Sequence, residues 1–94
     1  MRYNAGTTDI PLAGTRVQIS NTADRVKAIS VQGRFANLGL VYFGVSDVAS
    51  TKAWSLRPGQ TKAISFGEGS VLFSVFYVDA ANNGDDLDWD VVLE

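Results

Sequence analysis

Apolar residues recur at every second position along most of this chain, and no stretch holds a helical 3.6-residue repeat for three turns. Period-two alternation puts apolar side chains on one face of an extended strand, so the pattern commits the chain to β-structure. Residues 16–20 alternate cleanly. Residues 26–35 form the second strand, with Ile29, Val31 and Phe35 turned inward, and residues 61–66 alternate again, with Ile64 and Phe66 on one face. Residues 40–45, 54–56, 71–78 and 87–93 bring the count to about seven short strands, with turn signals about every 8–12 residues. That is the pattern of an all-β fold, a single antiparallel β-sandwich or jelly-roll-like domain.

The turns are legible as chemistry. Asn21-Thr22-Ala23-Asp24 holds side chains that bond their own backbone. Ala36-Asn37-Leu38-Gly39 turns the chain next, residues 46–50 form a loop, and Gly67-Glu68-Gly69 turns again. Arg57-Pro58-Gly59-Gln60 places Pro and then Gly in the central positions of a type II turn. Asn82-Asn83-Gly84-Asp85 is the strongest signal, since Asn-Gly suits a type I′ hairpin.

Residues 1–15 stand apart from this pattern. They carry Gly6, Thr7, Thr8, Pro11 and Gly14, with only Ile10 and Leu12 as sizeable apolar side chains. So little burial does not offset a backbone entropy cost of about 1–2 kcal/mol per residue. The expected organisation is an extended N-terminal arm over 1–15 and a sandwich over 16–94. The arm orders only on a partner, anchored by Ile10 and Leu12.

Composition removes whole classes of chemistry. The 94 residues fit one domain, and no window reaches the ~18 apolar residues that a membrane span needs. No apolar stretch follows Met1, so no secretory leader is expected. Cysteine and histidine are both absent. His-based triads, Cys–His pairs and His- or Cys-bound zinc are therefore excluded. The charge is lopsided: all eight bases lie within residues 2–62, against four acids before residue 79, while residues 79–94 hold six acids and no base. That is not the basic, aromatic-laced surface of a nucleic-acid binder. The acids read as a solvated face, or as an acidic end that meets a basic surface on a neighbour.

The acidic run from Asp79 to Asp88 contains the candidate metal ligands Asp79, Asn83 and Asp85. Calcium needs several such oxygens. Aligned to an EF-hand loop, however, Ala81 takes a ligand position, Asp90 stands where Glu belongs, and strands flank the run. A polar hairpin tip is the better reading. Asp86, Asp88 and Asp90 share a strand face with no cleft to raise one carboxyl for acid–base work. The Gly-rich turns lead into no helix and carry no P-loop lysine. Trp54 and Tyr42 could stack on a sugar.

Two strands are apolar on both faces, 40–45 and 71–78. A small sandwich needs one apolar face per sheet, and leaving the second bare invites aggregation. The arm folding back or another protein chain would cover it. The expected interface residues are Ile10, Leu12, Tyr42, Phe43, Leu72, Phe73, Phe76 and Tyr77.

Residues 37–44, Asn-Leu-Gly-Leu-Val-Tyr-Phe-Gly, fit an Asn-x-Gly-x-(Ile/Val)-Tyr-x-Gly strand, and Leu56-Arg57-Pro58-Gly59 fits the Leu-x-Pro-Gly turn that follows it. Ile64-Ser65-Phe66 and Tyr77-Val78-Asp79-Ala80 come next in order. Over roughly residues 16–80 the chain resembles small β-sandwich structural proteins of tailed bacteriophage virions. The resemblance implies no enzyme activity, no catalytic residue and no cofactor. It implies a virion structural protein, a capsid decoration (cement) protein on the capsid surface, made in the host cytoplasm. Its partners would be further copies of itself, as a homo-oligomer, and the major capsid protein or other virion proteins, with no nucleic acid and no membrane. The alternative is a tail, fibre or head-fibre component that binds carbohydrate or a receptor through loop aromatics such as Trp54.

Overall fold

Nine strands make two antiparallel sheets in a computed structural model that describes residues 2–49 and 53–94. Met1 of the expected arm and Ser50 of the 46–50 loop lie outside the described residues. The strands are β1 (Arg2–Ile10), β2 (Val17–Gln18), β3 (Arg25–Gly33), β4 (Val41–Gly44), β5 (Trp54–Leu56), β6 (Thr61–Ser65), β7 (Val71–Leu72), β8 (Tyr77–Ala80) and β9 (Asp85–Leu93). The first sheet runs β1-β9-β3-β6, with β7 beside the start of β3; the second runs β2-β8-β4-β5. The all-β sandwich expected from the alternation is the observed architecture.

Alternation sets the core. From the first sheet Ile10, Val26, Ile29, Val31, Leu87, Val91 and Leu93 point inward, and Val41, Phe43, Leu56, Val78 and Ala80 meet them from the second. Each large side chain so buried contributes about 1.5–3 kcal/mol. Phe43 stacks on Phe76 at 5.4 Å between centroids, and Phe73 meets Trp89 edge-on at 5.2 Å.

The 1–15 segment is not an arm outside the sandwich. Residues 2–10 are extended, but they pair in unbroken register with β9, from Arg2 opposite Leu93 to Ile10 opposite Asp85. Apolar content within the segment underestimates its burial, because its partner supplies the side chain. The Trp89 ring lies over Gly6, where a Cβ would stand 2.6 Å from the ring, and Trp89 Nε1 donates to Thr8 Oγ1 at 3.1 Å. Ile10 is fully buried, an anchor in its own domain's core.

The 71–78 run is not one long strand. It leaves the first sheet after Leu72, makes a 3₁₀ turn over Phe73–Val75 and enters the second sheet at Tyr77. A segment that changes layers can point consecutive apolar residues into one core, so Phe73, Phe76 and Val78 are all buried. No second chain is needed to cover them. Phe35 lies past the end of β3 and is 79% exposed, not inward. The Asn-Gly turn is not a type I′ hairpin either. Within this turn only Gly84 has positive φ (81°), since the positive-φ residues among those described are all glycines, and the turn carries the chain from one sheet to the other.

Candidate functional site

Strand register gathers four connections at one end of the sandwich. Ile10 opposite Asp85, Gln32 opposite Thr61, and Val41 opposite both Ala80 and Leu56 place residues 11–16, 34–40, 57–60 and 81–84 side by side. Polar side chains from the acidic run tie these loops together. Asp85 is buried and accepts two backbone N–H groups, from Leu38 at 2.9 Å on Oδ1 and from Gly39 at 3.1 Å on Oδ2. Asp79, also buried, accepts Gly14 N–H at 2.9 Å and Ala80 N–H at 2.7 Å. Asn83 Oδ1 accepts Ala13 N–H at 2.8 Å. Asn37 extends the sheet with its side chain: its amide donates to Asp86 O and accepts from Asp86 N, each at 2.8 Å.

The three candidate metal ligands are thus loop clamps. Their oxygens face backbone N–H groups on three different segments, and among the described residues no three acidic side chains converge on a point that could hold an ion. What the clamps hold is apolar. Leu38 is 80% exposed, Phe35 lies against Gly59 while remaining open to solvent, and Leu12 stands out from the first loop. The Arg57–Gln60 turn beneath Phe35 closes through Gln60 N–H to Arg57 O at 2.9 Å, with Gly59 at φ 84° as a type II turn requires. Three exposed large apolar side chains thus stand on hydrogen-bonded loops at one end of the sandwich.

The expected interface residues divide. Ile10, Phe43, Phe73 and Phe76 belong to the core. Tyr42 and Tyr77 are half-buried on the outer face of the second sheet, and Arg16 lies over the Tyr77 ring at 5.8 Å. Leu72 is exposed beside β3, at the other end of the molecule, and only Leu12 sits at the loop end. Sequence reasoning missed Leu38 and Phe35. The available signal was a large apolar residue inside the polar turn Ala36-Asn37-Leu38-Gly39, where core packing has no use for one.

A second surface lies between the edge strands β5 and β6. Phe43, Val45, Trp54, Ile64 and Phe76 line an apolar groove of about 380 Å³. Lys62 Nζ stands 4.8 Å from the centroid of the Trp54 ring, a cation–π contact that occupies that face of the indole.

Electrostatics differ between the two ends. Beside the clamped loops, Asp9 and Asp86 are directly cross-strand. Desolvation, and then the Asp9 carboxylate, push the Asp86 carboxyl above the usual aspartate range, while Arg34 at 3.4 Å opposes the shift. At the far end Arg2 donates to Asp24 at 2.8 Å, and that bond, with Thr22, holds the Asp24 carboxyl below its usual value.

Fold and site together define a two-sheet antiparallel sandwich that presents a clamped apolar loop end. No family model, curated protein or solved structure matches the chain.

Proposed function

We propose that this chain is a non-enzymatic structural component of a bacteriophage virion, a capsid decoration protein that docks through its loop end. The observation that carries this reading is the exposure of Phe35 and Leu38, 79% and 80%, on loops held by buried carboxylate and amide clamps. Pre-organised large apolar side chains bind at low entropic cost and act as interface anchors. Two or three such anchors make a small contact, and a symmetric shell offers the same contact many times. The sequence motifs over residues 37–44 and 56–59 support the same reading.

The test is an inventory of purified particles with copy numbers, followed by rebinding of Phe35→Ser and Leu38→Ser variants to stripped particles. Hundreds of copies per particle and loss of binding by folded variants support docking through this end. Absence from particles, or full rebinding by both variants, overturns it. A glycan-binding tail or fibre module is the second reading, favoured by Trp54 at the rim of the apolar groove. Its sign is glycan-array binding lost in Trp54→Ala and kept in Leu38→Ser.

A further inference from the structure

We propose that β1 is a pairing edge for a second copy of this chain, the two β1 strands running antiparallel about a two-fold axis at Gly6. The inference goes beyond the virion reading and stands without it.

Among the described residues five strands have a free edge, and β1 is the longest of them, with nine residues against five in β6, three in β5 and two each in β2 and β7. Long free edges are ordinarily blunted by proline, lysine or a bulge. Residues 2–10 contain neither proline nor lysine, and their register with β9 is unbroken.

Which backbone groups face outward follows from hydrogen bonds on the other side of β9. Arg34 N–H reaches Asp86 O and Glu94 N–H reaches Arg25 O, so the even-numbered residues of β9 turn to β3 and the odd-numbered ones to β1. The odd residues of β9 pair with the even residues of β1. Tyr3, Ala5, Thr7 and Asp9 therefore present their N–H and C=O groups away from the sheet. The Ala5 N–H confirms the parity, because it finds its acceptor in the neighbouring Asn4 side chain, at 3.0 Å.

That outward set is complementary to itself. With the axis at Gly6, Tyr3 meets Asp9 of the other copy and Ala5 meets Thr7, so every outward residue has a partner, the Ala5 N–H exchanging its Asn4 acceptor for the Thr7 carbonyl. Moving the axis to Ala5 or Thr7 leaves one of those residues unpaired. At the axis two glycines face each other at the close, non-hydrogen-bonded position, where Cα atoms approach to about 4.5 Å. The ends also match in charge. On β1 itself Arg2, which also pairs with Asp24, lies at one end and Asp9, beside Asp86, at the other, and an antiparallel two-fold sets Arg2 of one copy near Asp9 of the other. A parallel arrangement would set like beside like.

The experiment uses the 94-residue chain, ¹⁵N-labelled, from low micromolar to near-millimolar concentration. Sedimentation should show a monomer–dimer equilibrium. Amide exchange should show Tyr3, Thr7 and Asp9 gaining protection as concentration rises, while Asn4, Thr8 and Ile10 are protected throughout. Thr7→Pro removes an outward N–H that the domain's own ladder does not use, which an edge strand tolerates. It should raise the dimer dissociation constant by about tenfold or more, since symmetry removes the donor twice. Thr7→Val, which keeps the N–H and loses the Oγ1 bond to Asp88, should leave dimerisation intact. A chain that stays monomeric with those three amides open at every concentration overturns the proposal, as does a dimer that folded Thr7→Pro leaves undisturbed. If Thr7→Pro fails to fold, the exchange pattern of the unmodified chain decides alone.

Discussion

Replacing Asp85 by alanine tests whether the loop end is clamped or merely close-packed. The Asp85 carboxylate accepts the Leu38 and Gly39 N–H groups at 2.9 and 3.1 Å, and its side chain is buried. Hydrogen bonds to a charged group are worth about 1.5–3 kcal/mol each. Leu38 is largely exposed, so water reaches part of what the carboxylate leaves, and the lower end of the range applies. The expected cost is about 3 kcal/mol, from a total of about 5–14 kcal/mol for a domain of this length. At about 4–8 °C per kcal/mol, the thermal midpoint should fall by about 12–24 °C. Asp85→Asn keeps one acceptor and turns an amide donor toward the other N–H, so it should lie between wild type and Asp85→Ala. Urea unfolding gives the free energies, and amide exchange at Leu38 and Gly39 localises them. A loss under about 1 kcal/mol for Asp85→Ala, with those two amides exchanging as before, would refute the clamp.

Three further outcomes follow from the same geometry. The raised Asp86 carboxyl means that the folded chain holds that proton more readily than the unfolded one, so its contribution to stability is greatest below the ordinary aspartate range and is lost as pH rises through its folded value. Asp86→Asn should therefore match or exceed wild-type thermal stability at neutral pH, with the difference closing in acid; a lower midpoint at neutral pH would contradict this. Leu38→Ser should change unfolding free energy by no more than about 0.5 kcal/mol, because the side chain is exposed, and a larger loss in urea would mean that it packs. Gly6→Ala drives a Cβ to 2.6 Å from the Trp89 ring and should cost about 1–3 kcal/mol with a shift in tryptophan fluorescence; an unaltered midpoint would show that the ring moves aside freely.

The sandwich was legible because alternation reports on one strand at a time, and β3, β6 and β9 each carry their own pattern. What escaped was information held by a partner strand. β1 reads as a polar arm because Gly6 and Thr8 contribute little, yet Trp89, eighty-odd positions away, covers both. The 71–78 run has apolar residues of both parities, which describes a two-faced strand and a layer-crossing segment equally well; only the 3₁₀ turn at Phe73–Val75 separates them. Phe35 keeps the parity of Ile29 and Val31 but lies beyond Gly33, where the strand stops and parity no longer assigns a face. The acidic run reads as a polar, solvated hairpin tip, but it joins the two sheets, Asp79 and Asp85 are buried, and its side chains bond backbone N–H groups of residues 13, 14, 38 and 39, which no spacing rule connects to it.

The pairing of β1 with β9 also orders events during synthesis. Residues 2–10 leave the ribosome first among the strands, and the strand they pair with leaves last. β3, in the middle of the same sheet, also waits for β9 on one of its sides. Neither strand can complete its hydrogen bonds until Leu93 has cleared the exit tunnel, so from its own synthesis to that of β9 each nine-residue strand lacks the β9 side of its ladder. Pairings this distant in sequence form slowly and leave edges exposed meanwhile. In β1 the polar composition that disguised it as an arm keeps that waiting edge soluble, and the valines and isoleucines that would make it a better strand would make it stick.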